Sequence, residues 1–202
     1  MMAATFEFRE SNGAGETVTN NISNVNFGSN DSANIVPATF PITAGTNSFE
    51  KWIRGHFSGT YASVTNLKFW KSAGAYVTGE DIKAAVNATY ATPTASTSSV
   101  ATVTVPTTLG TALAPTAPGA SPSFSGYITM QLQTTGSTPA GSVNQKTFTL
   151  QFFKKLLLAV TLIENFAVSV KTLLKEGQYR GNLLMQRVRR DYTRNVQFGY
   201  IG

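Results

Sequence analysis

The sequence predicts a mainly β protein, a β-sandwich of open or jelly-roll form, and three observations carry that prediction. Charged residues make up only 13% of the 202 residues, against 42% hydrophobic ones, and Ser, Thr and Asn take the place of the missing charge, as in many β-rich proteins. Short runs of Phe, Val, Ile, Thr and Tyr recur about every ten residues between Gly-, Asn- and Ser-rich turns, the spacing of strands in sandwiches and barrels. A Pro-rich stretch over residues 91–123 makes a continuous helix there untenable.

The elements follow in order. Phe6 and Phe8 alternate with Glu7 and Arg9 before the turn SNGAG. Val25 and Phe27 mark a second short run, closed by GSND. Residues 49–70 are the densest aromatic segment, with Ile53, Phe57 and Tyr61 followed by Leu67, Phe69 and Trp70. One short helix is expected over residues 78–87, VTGEDIKAAVNATY, with Thr78 as N-cap and Glu80 and Asp81 in the first turn, where the helix dipole favours acids. Residues 99–105 make one strand within the Thr/Pro-rich segment. Two final strands, 125–133 and 145–153, flank TTGSTPAGS, which reads as a hairpin-type connection.

Charge divides the chain in two. The net charge is +6, yet basic and acidic residues balance over residues 1–150, so the excess lies beyond them. The expected domains are a sandwich over 1–152 and an amphipathic helix with a basic docking arm over 153–202. Within the window FFKKLLLAVTLIENFAVSVKTLL residues 156–174 have nearly the length of a membrane span, but Glu164 and Asn165 sit at the centre, where an acid costs several kcal/mol on insertion scales. On a helical wheel Thr161, Asn165, Ser169 and Thr172 share a polar stripe, and Leu156, Val160, Ile163 and Val170 lie opposite. That is a helix packing on protein rather than lipid. Beyond it Val196, Phe198 and Tyr200 alternate as an extended strand, among Arg187, Arg189, Arg190 and Arg194. Without an aromatic platform or a known motif beside them, these arginines read as a protein-facing surface rather than a nucleic-acid site.

Signals for chemistry are sparse. The single histidine, His56, would share a strand face with Glu50, Trp52 and Arg54, but no nucleophile motif accompanies it. There is no cysteine, and no metal-ligand spacing, phosphate-binding loop or glycosidase pair stands out. The N-terminus has neither the basic region nor the apolar core of a secretory signal. No enzyme activity and no cofactor is expected. Trp52 and Trp70, with Tyr61 and Tyr76, are the candidate surface aromatics for a carbohydrate platform, against the plainer reading that they anchor a core or interface.

The segments SFEKWIRGHFSGTYASVTNLKFWKSAG and NVNFGSNDSANI resemble, in style and local motif, small β-sandwich structural proteins of tailed-bacteriophage virions: capsid decoration (cement), neck and tail-associated proteins. The resemblance covers roughly residues 4–152. It implies a non-enzymatic virion protein, made in the host cytoplasm, homo-oligomeric, and partnered by a major capsid protein or other virion subunits. Within that class a decoration protein leads, with a neck or tail-associated protein or a receptor-binding carbohydrate module as alternatives. The interface residues would be those named on the helix face, the terminal strand and the four arginines.

Overall fold

The computed structural model describes residues 4–96, 103–141 and 145–155. Eight residues of alternating character, TFEFRESN, form β1 (Thr5–Asn12). The Gly13–Glu16 turn, closed by Glu16 N–H donating to Gly13 O at 3.2 Å, sends the chain back as β2 (Thr17–Thr19). The aromatic segment supplies β3 (Lys51–Ser58) and β4 (Ser63–Ala73). They are followed by β5 (Glu80–Asn87), β6 (Val103–Thr104), β7 (Ser123–Phe124), β8 (Tyr127–Thr134) and β9 (Thr147–Lys155).

The strands build a β-sandwich of two antiparallel sheets of very unequal size. The larger has the order β2-β1-β3-β8-β5-β6, with β7 also pairing β3; the smaller is β4–β9 alone. The fold class is therefore as expected, mainly β. Its core lies between the sheets, because every second side chain of a strand points to the same face. Ile53 of β3, Ile82 and Ala84 of β5, and Ile128, Met130 and Leu132 of β8 meet Phe69 of β4 and Phe148 and Leu150 of β9. Phe57, Val64, Leu67 and Phe152 extend this packing. At that end Phe6, Phe57 and Phe152 form a ring cluster with centroids 4.9–5.1 Å apart.

β8 is buried on both faces along Tyr127–Leu132. Its second face looks away from the small sheet and is covered by the chain that follows β5. There Gln131 Nε2 donates to Thr94 O and Ser96 O at 3.3 and 3.0 Å, and Trp52 lies against Tyr90 and Tyr127. Residues 103–113 link the sheet edges on one side. Val105 N–H donates to Ile82 O, and Leu113 exchanges both backbone hydrogen bonds with Phe69.

Four expectations change. The helix over 78–87 is instead strand β5, in continuous register with β8 from Glu80↔Thr134 to Asn87↔Tyr127. Helix propensities differ by only tenths of a kcal/mol per residue, so a full ladder and the burial of Glu80, Ile82 and Ala84 outweigh them. Gly79, at φ +75°, makes the turn into β5, and the Glu80 carboxylate accepts from Val77 N–H at 2.9 Å, so the acid caps a turn instead of a helix. The link from β8 to β9 is no hairpin, since β8 pairs with β3 and β5 while β9 pairs with β4. Val25 and Phe27 pack on the core from a loop and form no strand. β9 also runs to Lys155, two residues past the expected strand end at 153. Of the strand expected over 99–105, β6 is the described part; the helix and extended arm over 153–202 lie, after Lys155, outside the described residues.

Candidate functional site

His56 lies on the face of β3 turned away from the small sheet, and the β1–β3 register sets Glu7 directly opposite it. Its Nδ1 is 3.0 Å from Glu7 Oε1 and 3.0 Å from Arg9 Nη2, while Arg9 Nε donates to the same Glu7 oxygen at 2.7 Å. The hydrogen bond from Arg9, followed by its charge and by His56, holds the Glu7 carboxyl below the usual carboxylate range despite an opposing burial effect. The Phe124 ring lies tilted against the imidazole with centroids 4.8 Å apart, and Arg54 lies 4.1 Å from the same ring and 4.6 Å from that of Tyr127. Arg54 also pairs with Glu16 at 3.1 Å, and Tyr127 Oη donates to that carboxylate. Each charge in this cluster is matched by an opposite one, which orients and stiffens the surface.

Glu50, expected beside His56, has a different role. It is 1% exposed and accepts from Trp52 Nε1 at 3.2 Å. Trp52 is itself 1% exposed, so it is a packing anchor, the plainer of its two readings from sequence, and not a surface aromatic. Trp70 is partly exposed but stands on β4 of the other sheet. The two rings form no common platform. Their neighbours differ as well: Tyr61 is buried and donates to Gly119 O at 3.2 Å. Tyr76 is flanked by Lys71 Nζ at 4.8 Å and Lys146 Nζ at 5.3 Å. Burial, reinforced by the charges of Asp81 and Glu80, raises the Tyr76 phenol to about 12.

A polar network that no local motif announces fixes β1 to β3. Lys51 Nζ contacts Glu10 Oε1 at 3.1 Å with both side chains at most 1% exposed, and it donates to Ser32 O at 2.6 Å. Asn12 Nδ2 donates to Glu10 Oε1 at 3.1 Å and to Asp31 Oδ1 at 3.2 Å, and Gly13 N–H reaches Asp31 Oδ2 at 2.8 Å. The sequence signal was the alternation EKWIR, which places Lys51 off the face that carries Trp52 and Arg54.

Between the sheets lies a cavity of about 520 Å³. Its floor is Ile53, Phe69, Ile82 and Met130, each at most 3% exposed. Its mouth carries Ser23, Asn24, Gln145 and Thr147, which also face solvent. Just inside, Lys146 and Glu80 form an ion pair with side chains 4% and 0% exposed. The space opens to solvent at this mouth, so water can reach it and a ligand could displace that water.

The second notable surface is an edge. Among the described residues β9 pairs with β4 alone. Phe148, Leu150 and Phe152 point into the core, and Phe153 is 44% exposed on the alternate face. Proline, bulges and inward charges are the devices that block edge strands. β9 has no proline, and its two lysines stand at its very end, Lys154 and Lys155. The predicted interface residues Leu156, Val160, Ile163, Val170, Arg187, Arg189, Arg190, Arg194, Val196, Phe198 and Tyr200 all lie outside the described residues.

Among the described residues no group of three or more His, Asp or Glu side chains is placed to hold a metal ion, and no helix is long and apolar enough to cross a membrane. Comparison with known proteins finds no matching family model, no matching curated protein and no matching solved structure.

Proposed function

We propose that this protein is a non-enzymatic structural component of a virus particle, a decoration (cement) protein whose sandwich is fastened to a capsid shell by the chain beyond Lys155. The observation that carries the reading is β9. A nine-residue strand, open on one edge among the described residues, ends on Lys154 and Lys155 and leads directly into a segment with seven basic and three acidic residues, so the strand end and that segment together hold the net charge of +6. An open edge accepts a further strand from another chain through main-chain hydrogen bonds, and a basic segment favours an acidic protein surface and speeds its encounter. In this reading Leu156, Val160, Ile163 and Val170, with Val196, Phe198 and Tyr200, supply buried apolar contact, while Arg187, Arg189, Arg190 and Arg194 pair with acids of the major capsid protein or a neighbouring copy. Burial of Trp52 takes support from a carbohydrate-binding role, since half of the supposed platform is inside.

The test uses the full chain and particles purified from its source. Quantitative mass spectrometry should find it on the particles in a fixed multiple-copy ratio to the major capsid protein. Full-length protein with all four arginines changed to Glu should fail to rebind particles stripped of it. Recovery of the chain only in the particle-free fraction, or undiminished rebinding of the charge-reversed form, would defeat the proposal.

A further inference from the structure

We infer that the cavity between the sheets is a binding site for a small apolar molecule with one uncharged hydrogen-bonding head. Its volume, about 520 Å³, falls in the range of roughly 300–1,000 Å³ typical of small-ligand sites. Close-packed cores ordinarily leave few spaces larger than a water molecule, so a solvent-open cleft of this size between two sheets departs from ordinary packing.

The chemistry of the walls selects the class of occupant. A water in a protein interior needs two to four polar partners. The floor, built from Ile53, Phe69, Ile82 and Met130, consists of side chains without any polar hydrogen-bonding group. Water is therefore poorly held there and readily displaced by an apolar body. Among the described residues the only charges in the lining are Glu80 and Lys146, and they neutralise each other. A charged ligand head would have to break that buried pair, whereas a neutral head can bond to Asn24 or Gln145 at the mouth. The mouth is lined from one side by residues 23–26 and Pro37 and from the other by residues 145–147, so a ligand enters along the start of β9 without any strand having to part.

The probe is N-phenyl-1-naphthylamine, an uncharged apolar amine that fluoresces when it leaves water. Full-length protein should give saturable, single-site enhancement with micromolar affinity. Ile82→Phe, which grows into the floor from β5, should weaken binding at least tenfold while the thermal midpoint holds or rises, since the added ring fills space. If Ile82→Phe does not fold, Leu132→Phe, from β8, reads the same effect. Absence of saturable binding to the wild-type protein overturns the inference, whether water or the chain's own residues fill the space. Unchanged affinity in the folded, filled variant overturns it too, because the probe would then be bound elsewhere.

Discussion

Replacing Lys51 with Met removes the ammonium from a buried pair and leaves the Glu10 carboxylate where it is. Glu10 is fully buried. Its Oε1 would keep only the Asn12 amide at 3.1 Å, and its Oε2 is buried without a hydrogen-bond partner already. Breaking a buried ion pair from one side typically costs about 3–5 kcal/mol, because the surviving charge is uncompensated. A further loss comes from Ser32 O, which now accepts from Lys51 at 2.6 Å. With a urea m-value near 2 kcal/mol per M, the unfolding midpoint should fall by about 1.5–2.5 M. The double variant Lys51→Met with Glu10→Leu tests the cause. If the cost is the stranded charge, removing the carboxylate as well should restore most of the stability, since apolar replacement of a whole buried pair is often neutral or favourable. A single variant that loses less than about 1 kcal/mol, or a double variant no more stable than the single one, would refute the reasoning.

Gly55→Ala should destabilise the domain by about 1–3 kcal/mol, the usual cost of overpacking. Its new Cβ would lie 2.8 Å from the Phe6 ring and 2.9 Å from that of Phe57; denaturant melts with an unchanged midpoint would contradict this packing. Tyr76 and Tyr127 are raised by burial to about 12 from 10, with further contributions from Asp81 for Tyr76 and from the Glu16 hydrogen bond for Tyr127. Their folded pKa values lie above the unfolded one, so the stability they contribute is complete below pH 10 and is lost as pH climbs towards 12. Absorbance at 295 nm should therefore show these phenols ionising together with alkaline unfolding above pH 10. A native protein in which every tyrosine titrates near pH 10 would rule this out.

Short β-prone runs between turn signals marked β1, β3, β4, β8 and β9, because large apolar side chains at strand spacing need no partner to be seen; β8 alone is buried on both faces along Tyr127–Leu132. β5 was misread for the opposite reason. Lys83, Ala84 and Ala85 are helix formers, and only the ladder to β8, whose residues lie some fifty positions away, makes EDIKAAVN a strand. β2, β6 and β7 hold two or three residues each, too few for any period. The polar clusters were hidden similarly. Glu7 meets His56 through a register, and Glu80 meets Lys146 across the two sheets. For Trp52 the sequence favoured the anchor over the platform, since aromatics within strands usually pack inward, but it could not name what covers the ring. The choice depends on Tyr90, Tyr127 and residues 94–96, which cover the outer face of the large sheet.

The crossing of the chain between sheets also determines when the fold can close during synthesis. β3 is joined to its inner neighbour only when β8 emerges, with Lys51 meeting Met130. β4 has no strand partner until β9 follows, with Ser63 meeting Lys155. Distant pairings of this kind fold slowly and leave apolar strands uncovered meanwhile. On the ribosome Trp52 and Phe57 of β3 and Phe69 of β4 therefore emerge well before the strands that pair with β3 and β4 on their inner side. The inner faces of β3 and β4 thus gain their strand neighbours only with the last two strands of the sandwich.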